Sequence, residues 1–252
     1  MKGRAPVRGG QQTRESCTAA AVRRALQRLA LPADAKVMQR YFKTGPGEYA
    51  AGDVFIGVRV PATRLVAKTF RDLPLAEVAE LLRSKIHEER LLALLILGER
   101  HARAEAAEQT VIYQFYLDHL AWVNNWDLVD TSAPAIVGRH LLGRSREILY
   151  ELAGSPDLWR RRVAILATLT FIRAGDFEDT LRLAEQLRTD PHDLMHKAVG
   201  WMLREVGKRN VGVMRQYLDR HAACLPRTLL RYAIEKLPAR ERAGYLGQGK
   251  MK

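Results

Sequence analysis

The segment LWRRRVAIL, residues 158–166, places an arginine, Arg162, directly before a run of small and apolar residues. A basic or aromatic residue followed by small and apolar residues recurs along the chain at gaps of 36, 36, 35 and 34 residues. The equivalent positions are Arg90, Trp126, Arg162, Lys197 and Arg231. A period of this length, with two helices per repeat, is typical of stacked helix-pair solenoids of the HEAT or armadillo kind. Stacking of this kind aligns alternate helices along one concave face, which we predict to be basic.

Apolar residues recur at intervals of three and four along most of the chain, which is the spacing of amphipathic helices. Glycine, proline and short polar segments separate these stretches, and no alternating run is long enough for a sheet. Two helices are predicted around 21–29 and 37–42, followed by a loop at 44–53. Further helices are predicted at 62–70, 75–84, 87–101, 108–121, 126–138, 141–152, 158–174, 177–187, 192–208, 211–221 and 227–237. The sequence therefore predicts an all-α fold.

The length of 252 residues and a hydrophobic fraction of 47% are sufficient for a buried core. We expect one HEAT-like domain over residues 15–252, preceded by a flexible basic arm at 1–14. The longest apolar run, at 91–97, is far shorter than the ~20 residues that a membrane span requires. The N-terminal segment lacks the apolar core of a secretory signal, and two cysteines are too few for a disulfide framework. We therefore expect a cytoplasmic protein that does not contact a membrane.

The chain has 41 Lys and Arg against 28 Asp and Glu, a formal net charge of +13. This excess predicts an anionic partner and disfavours a scaffold that binds only proteins. On the predicted concave face the cations, which can contact phosphates, alternate with Trp126 and Trp201, whose rings can contact a base, a sugar or a cation. The combination favours nucleic acid. Each tryptophan taken alone is also compatible with a core position, and Arg162 with an ion pair or a solvated face.

A carboxylate on this basic face, Asp130, needs a separate explanation because it opposes binding of a phosphate backbone. It could cap a helix or pair with Arg162. It could also stabilise positive charge that develops on a sugar, or hold an attacking water, as carboxylates do at glycosidic bonds. Asp127, close to the predicted helix start, fits a carboxylate that complements the helix dipole.

A metal site was considered because His192 and His196 lie four residues apart, on one face of a predicted helix. The segment HDLMH lacks the glutamate of an HExxH motif, and no third ligand is evident. The chain also has no Walker-type phosphate loop, no dinucleotide fingerprint and no nucleophile elbow. We therefore expect neither a metal nor a cofactor.

Six separated segments, in order along most of the chain, resemble the AlkD-type DNA alkylation repair family, which is built from HEAT-like repeats. They are MQRYFKTGPGEY at 38–49, FIGVRVPATR at 55–64, WVNNWDLVDTSAP at 122–134, LWRRRVAIL at 158–166, HDLMHKAVGWMLREVGKR at 192–209 and LPRTLLRYAIEKL at 225–237. The resemblance implies a monomeric DNA glycosylase that removes cationic N3- or N7-alkylated purines from double-stranded DNA and leaves an abasic site. It implies no metal or cofactor, and a cytoplasmic, nucleoid-associated location.

By motif, the resemblance assigns the catalytic roles to Trp126, Asp130, Arg162 and Trp201. Asp130 would stabilise the sugar and position water, the two tryptophans would hold cationic groups, and Arg162 would anchor the phosphate beside the lesion. Together with the basic face, the resemblance gives the expected DNA contacts. They are Tyr41, Lys43, Arg90, Arg162, Lys197 and Arg231.

Three positions depart from the family pattern. Asn125 stands where a second tryptophan precedes the catalytic one, and Asp193 and Leu194 stand where bulky aromatics are found. These changes thin the wall of the lesion site and bear on the tolerance for bulky adducts more than on excision. The alternative function is a non-catalytic solenoid that recognises damaged or distorted DNA by charge and shape. Asp130 discriminates between the two functions, since a carboxylate helps catalysis and hinders simple binding.

Overall fold

The structure is a computed structural model that describes residues 17–248. Within these residues the chain forms sixteen α-helices, a 3₁₀ turn at Leu120–Trp122 and a π-helical turn at Pro134–Gly138. The β-structure of the described part is limited to one isolated parallel bridge between Val54 and Ile86. The predicted all-α class is therefore confirmed. The basic arm predicted at 1–14 lies outside the described residues.

The described residues group into two compact units. The first contains the described residues up to Arg103 together with Ala121–Val123, and the second contains Ala104–Leu120 and the described residues from Asn124 onward. The helices of the first unit are α1 (Ala19–Gln27), α2 (Pro32–Tyr41), α3 (Val60–Thr69), α4 (Leu75–Leu82) and α5 (His87–Arg103). The helices of the second unit are α6 (Ala106–Asp118), α7 (Trp126–Ser132), α8 (Arg139–Leu141), α9 (Glu147–Ala153), α10 (Leu158–Ala167), α11 (Leu169–Arg173), α12 (Glu178–Leu187), α13 (Asp193–Arg209), α14 (Val211–His221), α15 (Arg227–Ala233) and α16 (Ala239–Gln248).

In the first unit, α5 is the central helix and packs against α1, α3 and α4. Its apolar run 91–97 is buried throughout, which accounts for a hydrophobic stretch without a polar face. The carboxylate of Glu88 accepts backbone hydrogen bonds from Ile56, Gly57 and Val58 at 2.8–3.2 Å and so fixes the turn before α3. No helix among the described residues combines the length and the apolar character needed to cross a membrane.

In the second unit the helices stack as the repeat predicts. The repeat positions Trp126, Arg162, Lys197 and Arg231 fall on α7, α10, α13 and α15. α10 packs against α7, α9 and α13, and α13 packs in turn against α14 and α15. Since α10 has neighbours on several sides, every residue from Arg162 to Ala167 is buried. The periodicity of the sequence therefore reports real neighbours within this unit.

The helices of the structure differ from the predicted ones at several places, and three of the differences have a clear local cause. The helix predicted at 126–138 changes from α to π after Ala133, because Pro134 has no N–H to continue the α-helical pattern. The helix predicted at 141–152 begins only at Glu147, since Gly143 adopts a left-handed turn with φ of 77°. α16 was not predicted, because Tyr245 is its one buried residue and the helix therefore carries no apolar period.

The contact between α13 and α15 depends on Gly200. A Cβ atom at this position would lie 2.5 Å from the carbonyl oxygen of Leu229 and 2.6 Å from Cβ of Tyr232. We expect Gly200→Ala to lower the free energy of unfolding by about 1–3 kcal/mol, because the two helices must separate. Gly244→Ala in α16 is the matched control, since nothing lies within 4 Å of its added methyl group. The control should raise stability by up to about 1 kcal/mol through helix propensity. Equal effects in urea denaturation would contradict close packing at Gly200.

Candidate active site

α7 places two of the expected catalytic residues on one face. It begins directly after Asn125, which is buried and whose side-chain oxygen accepts the backbone N–H of Trp126 at 2.8 Å. Trp126 is the first residue of the helix and Asp130 follows one turn later. Residues four apart lie on the same side of a helix, so the partly buried indole and the carboxylate are neighbours on that side.

The carboxylate of Asp130 is held by the guanidinium of Arg162 in a bidentate ion pair. Arg162 Nε donates to Asp130 Oδ1 at 2.8 Å, and Nη2 donates to Oδ2 at 2.8 Å. The remaining nitrogen, Nη1, donates to the backbone carbonyl of Leu194 at 2.6 Å. A planar guanidinium with parallel donors fits this geometry, and a lysine could not reproduce it. Arg162 thus connects α7, α10 and the first turn of α13.

The two partners of this pair differ in exposure. The side chain of Asp130 is 16% exposed, whereas that of Arg162 is 5% exposed. Burial raises the pKa of the Asp130 carboxyl above its ordinary value; the Arg162 guanidinium opposes this increase, and the nearby Asp127 adds to it. Asp130 is therefore a partly exposed and partly dehydrated carboxylate whose cation is more deeply buried.

The phosphate contact expected of Arg162 stays a prediction, and the structure shows what such a contact would require. Its guanidinium is buried, and Nε, Nη1 and Nη2 all donate to protein oxygens. These bonds use three of the five N–H groups of the guanidinium. Because the side chain is only 5% exposed, a phosphate contact requires one of the two other N–H groups to become accessible. The ion pair with Asp130, one of the two explanations considered for that carboxylate, is present in the structure.

The other expected residues of the second unit lie on α13 and α15. Lys197 and Trp201 are one turn apart and share a face of α13 with Leu194, the residue whose carbonyl binds Arg162. The indole N–H of Trp201 donates to Glu205 Oε1 at 3.0 Å, and Lys197 pairs with Asp193 at 2.7 Å. Arg231, another expected contact, is exposed on α15.

In the first unit the expected contacts divide between surface and core. Tyr41 and Lys43 are exposed at the C-terminal end of α2, and Lys43 adopts a left-handed φ of 54°. Arg90 is buried. Its Nη2 pairs with Asp53 at 2.7 Å, and its Nη1 donates to the carbonyl of Ser84 at 2.8 Å. Because its guanidinium is not accessible to a phosphate, Arg90 has a structural role: it binds Asp53 and the Ser84 carbonyl.

The two histidines considered for a metal have other contacts. The ring of His192 caps α13 by accepting the backbone N–H of Leu194 at 3.1 Å. His196 Nε2 lies 2.6 Å from the carbonyl oxygen of Asp190. Across the described part of the chain, no group of three or more His, Cys, Asp or Glu side chains is arranged to hold a metal ion.

Two participants in this site were missed by the sequence analysis. The carbonyl of Leu194 accepts a hydrogen bond from Arg162, and the carboxylate of Glu205 accepts one from Trp201. The sequence separations could have indicated the contact with Leu194, because Asp130, Arg162 and Leu194 follow each other at intervals of 32 residues. Intervals near the repeat length place residues side by side on neighbouring repeats. The same reasoning on one helix relates Glu205 to Trp201, four residues earlier.

Comparison with known proteins agrees with this fold. The model of a family described as "DNA alkylation repair enzyme" matches residues 22–237. A solved structure described as a predicted DNA alkylation repair enzyme from Enterococcus faecalis is 19% identical, with a TM-score of 0.66, over 83% of this chain and 97% of that chain. The structure of AlkD2 from Streptococcus mutans is 17% identical, with a TM-score of 0.50, over 85% and 98%. At these identities the two structures are evidence for the fold alone. No curated protein matches the chain.

The pairing of Asp130 with Arg162 predicts strongly non-additive effects on stability. Asp130→Ala and Arg162→Ala should each lower the free energy of unfolding by about 3–5 kcal/mol, because each leaves a buried, unpaired charge. The double variant should cost less than the sum by about 1–3 kcal/mol. Urea denaturation of the four proteins measures this coupling. The matched control is the exposed pair Glu178 and Arg182, 4.0 Å apart, for which a coupling below about 0.5 kcal/mol is expected. Additive effects at Asp130 and Arg162 would contradict the bidentate geometry.

Proposed function

Because the chain belongs to the family of DNA alkylation repair enzymes, we propose that it is a DNA glycosylase. Its substrates are purines alkylated at N3 or N7 in double-stranded DNA, and its product is an abasic site. The observation that carries the proposal is the Asp130 carboxylate, which is partly exposed, partly dehydrated and fixed in place by Arg162. The protein acts as a monomer in association with the nucleoid.

The chemistry requires little acid catalysis. Alkylation at N3 or N7 gives the purine a formal positive charge, so the electron pair of the C1′–N bond leaves with a neutral alkylpurine. The sugar then acquires oxocarbenium character, and water adds at C1′ with loss of a proton. The enzyme lowers the barrier mainly by stabilising positive charge on the sugar.

Asp130 is suited to that task because its environment is only partly hydrated. Electrostatic attraction between a carboxylate and a developing cation is stronger where water is excluded. The partly exposed carboxylate can also accept a proton from the attacking water. Arg162 acts in this proposal as a positioning residue, since it holds the carboxylate by both oxygens and is itself fixed by the Leu194 carbonyl.

The tryptophans supply a second source of attraction for cations. Trp126 shares a helix face with Asp130, and Trp201 lies on the helix to which Arg162 is anchored. The face of an indole ring attracts cations through its quadrupole, by about 0.5–2 kcal/mol depending on exposure to water. In our proposal the two rings hold the cationic nucleotide beside the carboxylate.

Binding of the DNA backbone is assigned to exposed residues. Tyr41, Lys43 and Arg231 are exposed, and Lys197 is partly exposed beside Asp193. The three cations attract the phosphates, as does the net charge of +13 of the whole chain. The hydroxyl of Tyr41 can donate a hydrogen bond to a phosphate.

The three residues that depart from the family pattern each make a local structural contact. Asn125 is buried and caps α7, Leu194 offers its carbonyl to Arg162, and Asp193 pairs with Lys197. These three residues support the site and do not add an aromatic wall to it. We therefore propose that the excision step is retained while contacts to the lesion are reduced.

The test is release of free base from duplex DNA that contains N7-methylguanine or N3-methyladenine. Wild type should release both bases, and Asp130→Asn should be slower by about 10²–10³-fold, as is usual when a group that stabilises transition-state charge is removed. DNA affinity of Asp130→Asn should be equal to or higher than that of wild type. Asp127→Asn is the matched control, because the amide oxygen can still accept the Leu128 N–H that Asp127 binds at 2.8 Å.

Two results would contradict the proposal. Unchanged release by Asp130→Asn would show that the carboxylate is not catalytic. Tight binding of alkylated duplex by wild type without any release would instead support the alternative, a damage-binding protein that performs no excision.

The raised pKa of Asp130 predicts the acid limb of the pH profile. Only the ionised carboxylate stabilises a cation, so activity is lost as the pH falls through its pKa. Because burial raises this pKa, the midpoint should lie above 3.8, the ordinary value for aspartate. Asp127→Asn removes a negative charge that contributes to the increase, so its midpoint should be lower than that of wild type. Single-turnover rates, corrected for acid depurination without enzyme, give both midpoints. A wild-type midpoint at or below 3.8 would rule out the role of burial.

A further inference from the structure

The indole of Trp201 is linked through Glu205 to a third residue of α13, Lys208. Its indole N–H donates to Glu205 Oε1 at 3.0 Å, and the ammonium group of Lys208 donates to the same oxygen at 2.7 Å. Trp201, Glu205 and Lys208 follow each other at intervals of four and three on α13 and therefore form one ridge of the helix. The exposed fraction is 20% for the Glu205 side chain and 46% for that of Lys208. The carboxylate thus lies between a partly buried indole and a largely hydrated cation.

A hydrogen bond from an indole to a carboxylate has two consequences. It fixes the orientation of the ring, because the donor has a single direction. It also polarises the ring: a negative charge at the N–H edge pushes electron density towards the π-system and makes its faces more attractive to cations. Lys208 weakens this effect only in part, since its charge is better screened by water.

We propose that Glu205 is a positioning residue that orients Trp201 and strengthens its attraction for the cationic nucleotide. The inference rests on the proposed function, in which Trp201 contacts that nucleotide. It assigns the neighbouring carboxylate a part in recognising charge, although Glu205 touches no reacting atom. If Glu205 served only the helix, its ion pair with Lys208 would contribute a few tenths of a kcal/mol to stability and nothing to recognition of charge.

The readout that separates these roles is the preference for a charged sugar over a neutral one. The probes are two duplexes that differ only at one abasic-site analogue, a neutral tetrahydrofuran or a pyrrolidine that carries a protonated ring nitrogen. The ratio of their dissociation constants, measured by fluorescence anisotropy with the full-length protein, reports attraction for the charge. Contacts to the phosphate backbone are common to both duplexes and cancel in the ratio.

Four variants are compared with wild type. Glu205→Gln keeps the shape and an acceptor oxygen but removes the charge, and it should reduce the preference by about threefold to tenfold. Binding of the neutral duplex should stay the same. In a Trp201→Phe background the same substitution should have no effect, because phenylalanine has no N–H to bind. Lys208→Met is the matched control: it removes the ion pair, keeps the contact between Trp201 and Glu205, and should leave the preference unchanged or increase it.

The outcomes distinguish this inference from the proposed function. A wild-type preference that persists in Glu205→Gln, or a Glu205→Gln effect of the same size in the Trp201→Phe background, would overturn the inference alone. Equal binding of both duplexes by wild type would overturn recognition of the cation, and the inference with it. Thermal denaturation of each variant confirms that a lost preference is not a loss of fold.

Discussion

The second unit depends on the buried ion pair between Asp130 and Arg162. Removing two charges from water is costly, and the attraction between them compensates only if the geometry is good and the remaining donors are satisfied. Both conditions are met, because two donors of Arg162 meet the carboxylate at 2.8 Å and a third meets the Leu194 carbonyl at 2.6 Å. One guanidinium therefore fixes α7, α10 and α13 in relation to each other, and α7 and α13 carry Trp126 and Trp201.

The same pair resolves the conflict posed by an acidic residue on a basic surface. A carboxylate bound to a guanidinium adds little net negative field at a distance, so it does not repel the phosphates that a net charge of +13 attracts. At close range the cancellation is incomplete, because Asp130 is more exposed than Arg162. In the proposed reaction a sugar cation that approaches from solvent meets the carboxylate before it meets the arginine.

Periodicity predicted which helices are neighbours but not how deep each residue lies. The repeat correctly placed Trp126, Arg162, Lys197 and Arg231 on helices that stack in order. The structure shows in addition that Arg162 connects three helices. It could not show that this position is buried, because a repeat of basic residues fits either a surface row or a row of buried ion pairs. The feature that distinguishes the two cases is the acidic residue about one repeat earlier, Asp130, which pairs with Arg162. Local breaks such as the π turn at Pro134–Gly138 depend on single residues. A repeat of about 36 residues therefore does not predict them.

The first unit also contains a buried ion pair between an arginine and an aspartate, but the pKa of its carboxyl is shifted in the opposite direction. Arg90 on α5 pairs with Asp53 and donates to the Ser84 carbonyl, as Arg162 pairs with Asp130 and donates to the Leu194 carbonyl. Burial raises the pKa of the Asp53 carboxyl too, but His87 and Arg90 together outweigh it, and the pKa is lowered. The Asp53 side chain is only 8% exposed, and its charge is matched by two partners. Asp130 pairs with Arg162, has twice the exposed fraction of Asp53 and has a raised pKa. A carboxylate with these properties can still interact with a further group. Of the pairs Asp53–Arg90 and Asp130–Arg162, the second is therefore the one suited to a substrate.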